Sequence, residues 1–251
     1  MEVHHHTRTE KKKWHHYLWE FLMLFLAVFC GFLADNRREH FVELNREKQF
    51  IRSICEDLRD DTTRLNDLIR ARNNLLLNKI DSLLYYLNMP DPDKYGKFIY
   101  YYARPITNRY IFYNNDRTIQ QLKNAGNLRL IRNQIASDSI MSYDHDVRRN
   151  EHIKEREEAF VMDYIEILKR VFDGSEFEKM RGKESDALII EWNLPGGNPH
   201  LVHKDKESIQ SLINSLHFIK TINVYNQRWS KRMIRQASEL LVLLKKEYHL
   251  E

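Results

Sequence analysis

The stretch from Trp14 to Ala34, WHHYLWEFLMLFLAVFCGFLA, constrains this chain most, because a helix apolar on every side belongs either inside a large core or in lipid. From Phe21 to Ala34 the thiol of Cys30 is the sole polar side-chain group. Trp14, Tyr17 and Trp19 crowd the N-terminal edge as an interfacial aromatic belt does. Taken as helix, Leu18 to Ala34 rises about 25 Å against a hydrocarbon core of about 30 Å, so the segment spans with little tilt. The expected organisation is a short basic tail over 1–16, a transmembrane helix over 17–34 and a helical-bundle domain over 35–251.

A cleaved signal peptide also begins with basic residues, here Lys11 to Lys13, followed by a short apolar run. Its peptidase needs small residues at the last and third-last positions, and a cut after Ala34 puts Phe32 in the third-last place. An uncleaved anchor is the better reading. The lipoprotein alternative meets Phe29 before Cys30, where a small residue is required. For orientation, Arg8, Lys11, Lys12 and Lys13 before the span nearly cancel Arg37, Arg38, Arg46, Lys48 and Arg52 after it. A short basic N-terminus ordinarily stays cytoplasmic, which places the following domain outside.

Beyond the span, the rest of the 251 residues suffices for one ordinary core. Seven glycines and five prolines are few for that length and favour long helices over a turn-rich β architecture. The formal charge of +4 rests on 40 basic and 36 acidic residues, interspersed along the chain. A nucleic-acid-binding domain carries a concentrated basic excess, so no nucleic-acid partner is expected. Cys30 lies inside the apolar segment and Cys55 beyond it, which rules out a disulfide between them.

Between Phe32 and Met89 there is no glycine or proline, so the span is expected to run on as helix to Asn88. Leu44, Ile51, Leu58 and Leu65 recur every seven residues, with Ile54, Cys55, Leu68 and Ile69 beside them. A second row, Ile69, Leu76 and Leu83 with Ile80 and Leu87, restarts four residues after Leu65, a stutter that locally unwinds a coiled-coil-like seam. Pro90 and Pro92 end this helix, and Asp91 with Pro92 signals a short helix to about Tyr102; a hairpin through 97–113 is the alternative. The tyrosines at 95, 100, 101, 102, 110 and 113 read as an aromatic plug closing one end of a bundle or as a recognition surface. Asp116 can cap the next helix, which breaks at Gly126 and restarts near Leu128 to run to Phe172, its stripe formed by Ile140, Val147, Val161 and Leu168 beside Ile153, Phe160 and Ile167. Residues 173–204 read as a loop with a short strand over Leu188 to Trp192, and Lys206 to Tyr248 as the last helix. The resulting fold class is all-α: an N-terminal transmembrane helix continuing into an up-down-up bundle, with loops near 89–115 and 173–204 and room for a very short β pairing. In that arrangement the tyrosine-rich connection is distal and the 175–204 loop returns near the bilayer.

The block WEFLMLFLAV from Trp19 to Val28, NRREH from Asn36 to His40, NREKQFIRS from Asn45 to Ser53 and LKNAGNLRLIRN from Leu122 to Asn133 together resemble an uncharacterised family of bacterial, Bacteroidota-type, single-pass membrane proteins. The resemblance implies an anchored helical domain of unknown activity and transfers no catalytic residues.

Several constellations were weighed for chemistry. Glu20 lies only about 4.5 Å past Tyr17 on helical rise, close enough to snorkel to the headgroups or meet His16, although an intramembrane carboxylate is a functional candidate by default. Ala27, Gly31 and Ala34 make a small-residue face through which two spans can form a homodimer. His145 and His152 sit among carboxylates and among Arg148 and Arg149, which favours a solvated face over a metal site. His200, His203 and Asp205 lack a second ligand pair, and the run His4 to His6 is a short tract of adventitious affinity. Nucleophile elbows and phosphate-cradling glycine loops are absent from the sequence, so neither an enzyme nor a cofactor or metal is expected. In LKNAGNLRLIRN, Gly126 or Asn127 can take the left-handed conformation of a helix-helix corner, and Arg129, Arg132 and Asn133 are the candidates for an anionic ligand or partner.

The expected role is a scaffold or accessory subunit in the bacterial cytoplasmic membrane, with an extracytoplasmic domain, the bilayer as one partner and an unidentified membrane or envelope protein as another. A ligand-binding sensory bundle is the alternative. With so few residues before the span, it must signal through a partner.

Overall fold

With no proline in it, and no glycine after Gly31, one continuous helical path runs from Trp14 to Leu87 in the computed structural model. The structure describes residues 14–124, 126–184 and 190–250, which fall into two units, Met1–Phe50 and Ile51–Glu251. The fold is all-α, a long N-terminal helix followed by a helical bundle. Within the first unit the described residues are helix throughout, and its large apolar side chains are exposed, Trp14 by 67% and Phe21 by 68%. It is the one helix among the described residues long and apolar enough to cross a membrane.

In the second unit, α1 (Trp14–Ala71) continues from Ile51 and passes through a π turn, Arg72–Leu77, into α2 (Asn78–Leu87). Ile51, Leu58 and Leu65 are buried on the seven-residue row, but the row then lands on Arg72, and Ile69 is only half-buried. The extra residue per π turn rotates the stripe, so that Leu76, Ile80, Leu83 and Leu87 face the core afterwards. The stutter expected at Leu65 to Ile69 is thus absorbed a turn later, around a buried arginine.

A 3₁₀ turn, Pro92–Tyr95, leads into α3 (Gly96–Ala103) and a second 3₁₀ turn, Arg104–Thr107. The hairpin alternative for 97–113 is thereby overturned. Residues 108–116 form no repeating structure before α4 (Arg117–Asn124). Gly126, at φ 63°, turns the chain into a 3₁₀ turn, Asn127–Leu130, and α5 (Gln134–Arg148) and α6 (Glu151–Val171) follow. The single helix expected over 128–172 is therefore three pieces. Asn133 caps α5 by accepting the Ala136 N–H, and the chain breaks again at Arg149 and Asn150. After α7 (Gly174–Lys179), β1 (Arg181–Glu184) pairs antiparallel with β2 (Ile190–Trp192), Arg181 opposite Trp192. Leu188 and Ile189 of the expected strand lie outside the described residues. The last helix, α8 (Lys206–Tyr248), has the bounds expected, capped by Asp205, which accepts the Ser208 N–H.

Cross-helix bonds give the directions. Asp61 meets Tyr143 and Arg72 meets Glu157, so α5 and α6 run in the same sense as α1. Lys220 meets Asp81, Gln227 meets Asn73 and Glu247 meets Asn133, so α8 runs against all three. The expected up-down-up order is corrected to up-up-down. The reason lies in residues 108–116, which carry the chain back along α1 before α5 begins.

The two long connections also meet at one end of this unit, whereas opposite ends were expected. Asp93 accepts from the Leu201 N–H at 3.0 Å, Lys204 at 3.0 Å and His200 at 2.9 Å, while Asn198 bridges the Lys97 N–H and the Asp93 carbonyl. Burial alone would raise the Asp93 carboxyl, but these three donors outweigh it and hold it at about 2. The tyrosines complete the plug: Tyr86 stacks with Phe98 and Tyr102, and Tyr100 packs edge-on against Phe172. Gly96 permits the closest approach, since a Cβ there would stand 1.9 Å from the Pro199 carbonyl oxygen. Gly96→Ala is expected to lower stability by about 1–3 kcal/mol, read as a drop in the helical melting curve of the chain in maltoside micelles.

Candidate functional site

Residues 108–116 run extended, so their peptide groups find no partner in helix or sheet and must be satisfied otherwise. One face of α1 and the π turn does much of this. The Arg72 Nη2 donates to the Tyr110 carbonyl, Arg64 donates to the Tyr113 carbonyl at 3.3 Å, and Asp61 accepts the Asn115 N–H at 2.7 Å. Asp57 accepts the Thr118 N–H at 3.3 Å, inside the first turn of α4. That carboxylate fills the role expected of Asp116, whose side chain instead accepts from the Gln120 amide. Position 57 to 72 spans about 22 Å of helix, and 110 to 118 about 23 Å, six extended steps and two helical ones, so the two lengths match. From the other side Arg109 donates to the Lys154 carbonyl and to Glu158, both at 2.9 Å, and Phe112 inserts against Trp229.

At the upper end of this strap lies a buried polar layer. Arg72 and Glu157 form a two-pronged ion pair, both contacts 3.2 Å, with side chains 3% and 2% exposed. Asn223 accepts from Arg72 and donates to the Ile219 carbonyl, and Asn226 donates to Glu157 at 2.7 Å. Three helices and the strap therefore converge on one pair of charges. Ser230, one turn on, returns its hydroxyl to the Asn226 carbonyl.

At the lower end, Asp57, Asp61 and Asp144 surround a cavity of about 30 Å³, the size of a single water molecule. Lys123 and Arg148 neutralise Asp144, and Arg117 approaches Asp57 at 3.4 Å. Among the described residues Asp61 has no such ion-pair partner and accepts from the Asn115 N–H and the Tyr143 hydroxyl, the latter at 2.9 Å. Burial pushes its carboxyl up to about 6, although those two donors and Arg64 pull the other way. Burial and the neighbouring Asp61 charge likewise raise the Tyr143 phenol. The geometry suits holding backbone in place: the cavity is the size of a water, and no serine, cysteine, histidine or lysine among the described residues lines it.

The residues singled out in the sequence are placed as follows. Trp14, Tyr17, Trp19, Glu20, Phe21, Ala27, Cys30, Gly31 and Ala34 are all in the first unit, exposed, with His16 and Glu20 4.0 Å apart. Arg129 and Arg132 are exposed near the start of α5, and the Asn133 amide donates to Glu247 at 2.7 Å. His152 pairs with Glu155 and His200 with Asp93, and no three His, Cys, Asp or Glu among the described residues converge as metal ligands. Comparison with protein-family models, curated proteins and solved structures finds no match.

Reading the sequence for apolar periodicity passed over Arg72, Glu157 and Asn226. Their signal was positional. Arg72 is the next step of the Ile51, Leu58 and Leu65 row, Glu157 stands seven before Tyr164, and Asn226 stands midway between Ile219 and Met233.

Glu157→Ala leaves a buried guanidinium without its partner and is expected to cost about 3–5 kcal/mol, whereas Arg72→Met combined with Glu157→Leu restores most of that, by denaturant titration of each variant. Asp61, raised from an unfolded value of about 3.9, contributes stability that is full below that value and lost as pH rises through 6. The wild type therefore gains about 1 kcal/mol between pH 7 and pH 5 that Asp61→Asn lacks, measured as the difference between their melting shifts.

Proposed function

We propose that this chain is a single-pass membrane-anchored helical bundle serving as a scaffold or accessory subunit for another component of the bacterial envelope. The observation that carries the reading is a contrast along one helix. Through Leu33 the large apolar side chains of α1 are exposed, and from Ile51 the same helix buries its apolar row in a core of its own unit. A run of that size is a liability in water and at home in hydrocarbon. The cytoplasmic membrane is the assigned location, with the short basic N-terminus inside and the bundle outside. No catalytic role is assigned, because the carboxylates of Asp57, Asp61 and Glu157 are each bonded to backbone or to a neighbouring side chain. The sensory alternative draws on one feature, the π turn beside the Arg72–Glu157 pair, since π turns recur at functional sites.

Membranes washed with alkaline carbonate are expected to retain the chain and mild detergent to release it. Release by carbonate alone removes the anchor from the proposal. Gly196→Cys, in the exposed 193–200 loop, is expected to react with an impermeant thiol reagent in intact spheroplasts, since native Cys55 is buried. Crosslinking in the same membranes should recover a second envelope protein, and recovery of self-crosslinks alone would count against the accessory-subunit role.

A further inference from the structure

The end of the second unit where α8 stops carries an open cavity of about 470 Å³ that none of the contacts above uses. Arg52, Cys55, Glu56 and Arg59 of α1 wall one side, and Lys245 and His249 at the end of α8 wall the other. Arg52 and Arg59 are seven residues apart, hence on one face and about 10 Å apart along the axis. Several other cations of this unit are matched, as Arg72, Arg109, Arg117 and Lys123 each meet a carboxylate. Among the described residues Arg52, Arg59 and Lys245 are in no ion pair and Glu56 is the one carboxylate on the wall.

Two simpler uses of these cations do not hold. The first is neutralising the negative end of α8, but the Lys245 carbonyl already accepts the N–H groups of His249 and Leu250, with His249 in the left-handed region at φ 50°. The second is activating the Cys55 thiol. Burial pushes that thiol up, outweighing the pull of Arg59 and Lys245, so it stays protonated and poorly nucleophilic.

We propose that this cavity binds a phosphate group, either of a free phosphate compound or of an anionic lipid headgroup. Two guanidiniums on one wall offer planar, two-pronged donation to phosphate oxygens, and Lys245 adds a point charge from the facing helix. The volume accommodates a phosphate with its substituent. Asn133, bonded to Glu247, brings the start of α5 to the same end, so the segment singled out in the sequence for an anionic ligand adjoins a different set of cations.

The test titrates the full chain in maltoside micelles at fixed ionic strength with inorganic pyrophosphate, followed by calorimetry, and in parallel with micelles doped with phosphatidylglycerol, followed by the melting shift. Saturable pyrophosphate binding identifies a free phosphate compound, and a shift with phosphatidylglycerol alone identifies a headgroup. In either case Arg52→Gln with Arg59→Gln should weaken binding at least tenfold with the melting curve of the unliganded chain unchanged. Lys245→Gln, on the other helix, should weaken it independently, which keeps the test decisive if the double variant folds poorly. The control Arg235→Gln, an exposed cation of α8 outside the cavity, should bind as wild type. Saturable binding of neither probe, or an equal loss in Arg235→Gln, overturns the proposal.

Discussion

A backbone that leaves helix and sheet must still find a partner for its N–H and C=O groups, and here much of that partnership comes from one face of α1 and its π turn. Asp57, Asp61, Arg64 and Arg72 reach out at helical spacing and bond the chain as it travels back past them. The return decides the topology. Because residues 108–116 bring the chain to the start of α4 without a long helix, α5 and α6 run alongside α1 in the same sense, and α8 opposes them. Phe112 and Arg109 fasten the strap to α8 and α6, so it is held by packing and by charge at once.

The Arg72–Glu157 layer has a different energetic character. Removing two charges from water costs as much as their attraction returns, so the pair adds little net stability over apolar side chains of the same volume. What it adds is selection. α6 and α8 and the π turn each contribute polar groups at one level, and sliding any of them by a turn strands a charge in the core. The seven-residue row brings the arginine inward, and the π turn that starts at it rotates the apolar stripe that follows. Asp61, at the lower end, is the weak member of the system: it is buried, answered by a peptide N–H and a phenol, and so sensitive to protonation.

The far end of this unit closes on a single carboxylate. Asp93 gathers an N–H, a lysine and a histidine from the connection before α8, and Gly96 lets that connection approach to contact distance. The tyrosine cluster, read in the sequence as a plug or a recognition surface, packs here as rings on rings, with the Tyr100 hydroxyl donating to the His200 carbonyl and accepting the Asp173 N–H.

Local chemistry alone determined that residues 21–34 are apolar on every side, that the helix after them meets no breaker before Pro90, that Gly126 turns the chain and that α8 runs from Lys206 to Tyr248. Each rests on periodicity, breakers or caps, which act within a few residues of one another. Direction of travel and the polar partners were decided only in three dimensions. Arg72, Glu157 and Asn226 interrupt apolar rows and so look like surface residues until the others are seen opposite them. Along α5 and α6, Tyr143, Asn150, Glu157 and Tyr164 are buried more deeply than the expected Ile153, Phe160 and Ile167, which are half-buried, because a polar residue can be buried at low cost only when its partner is already in place. Loop 108–116 likewise carries no mark of its destination, since an extended segment takes its partners from whatever face it is laid against.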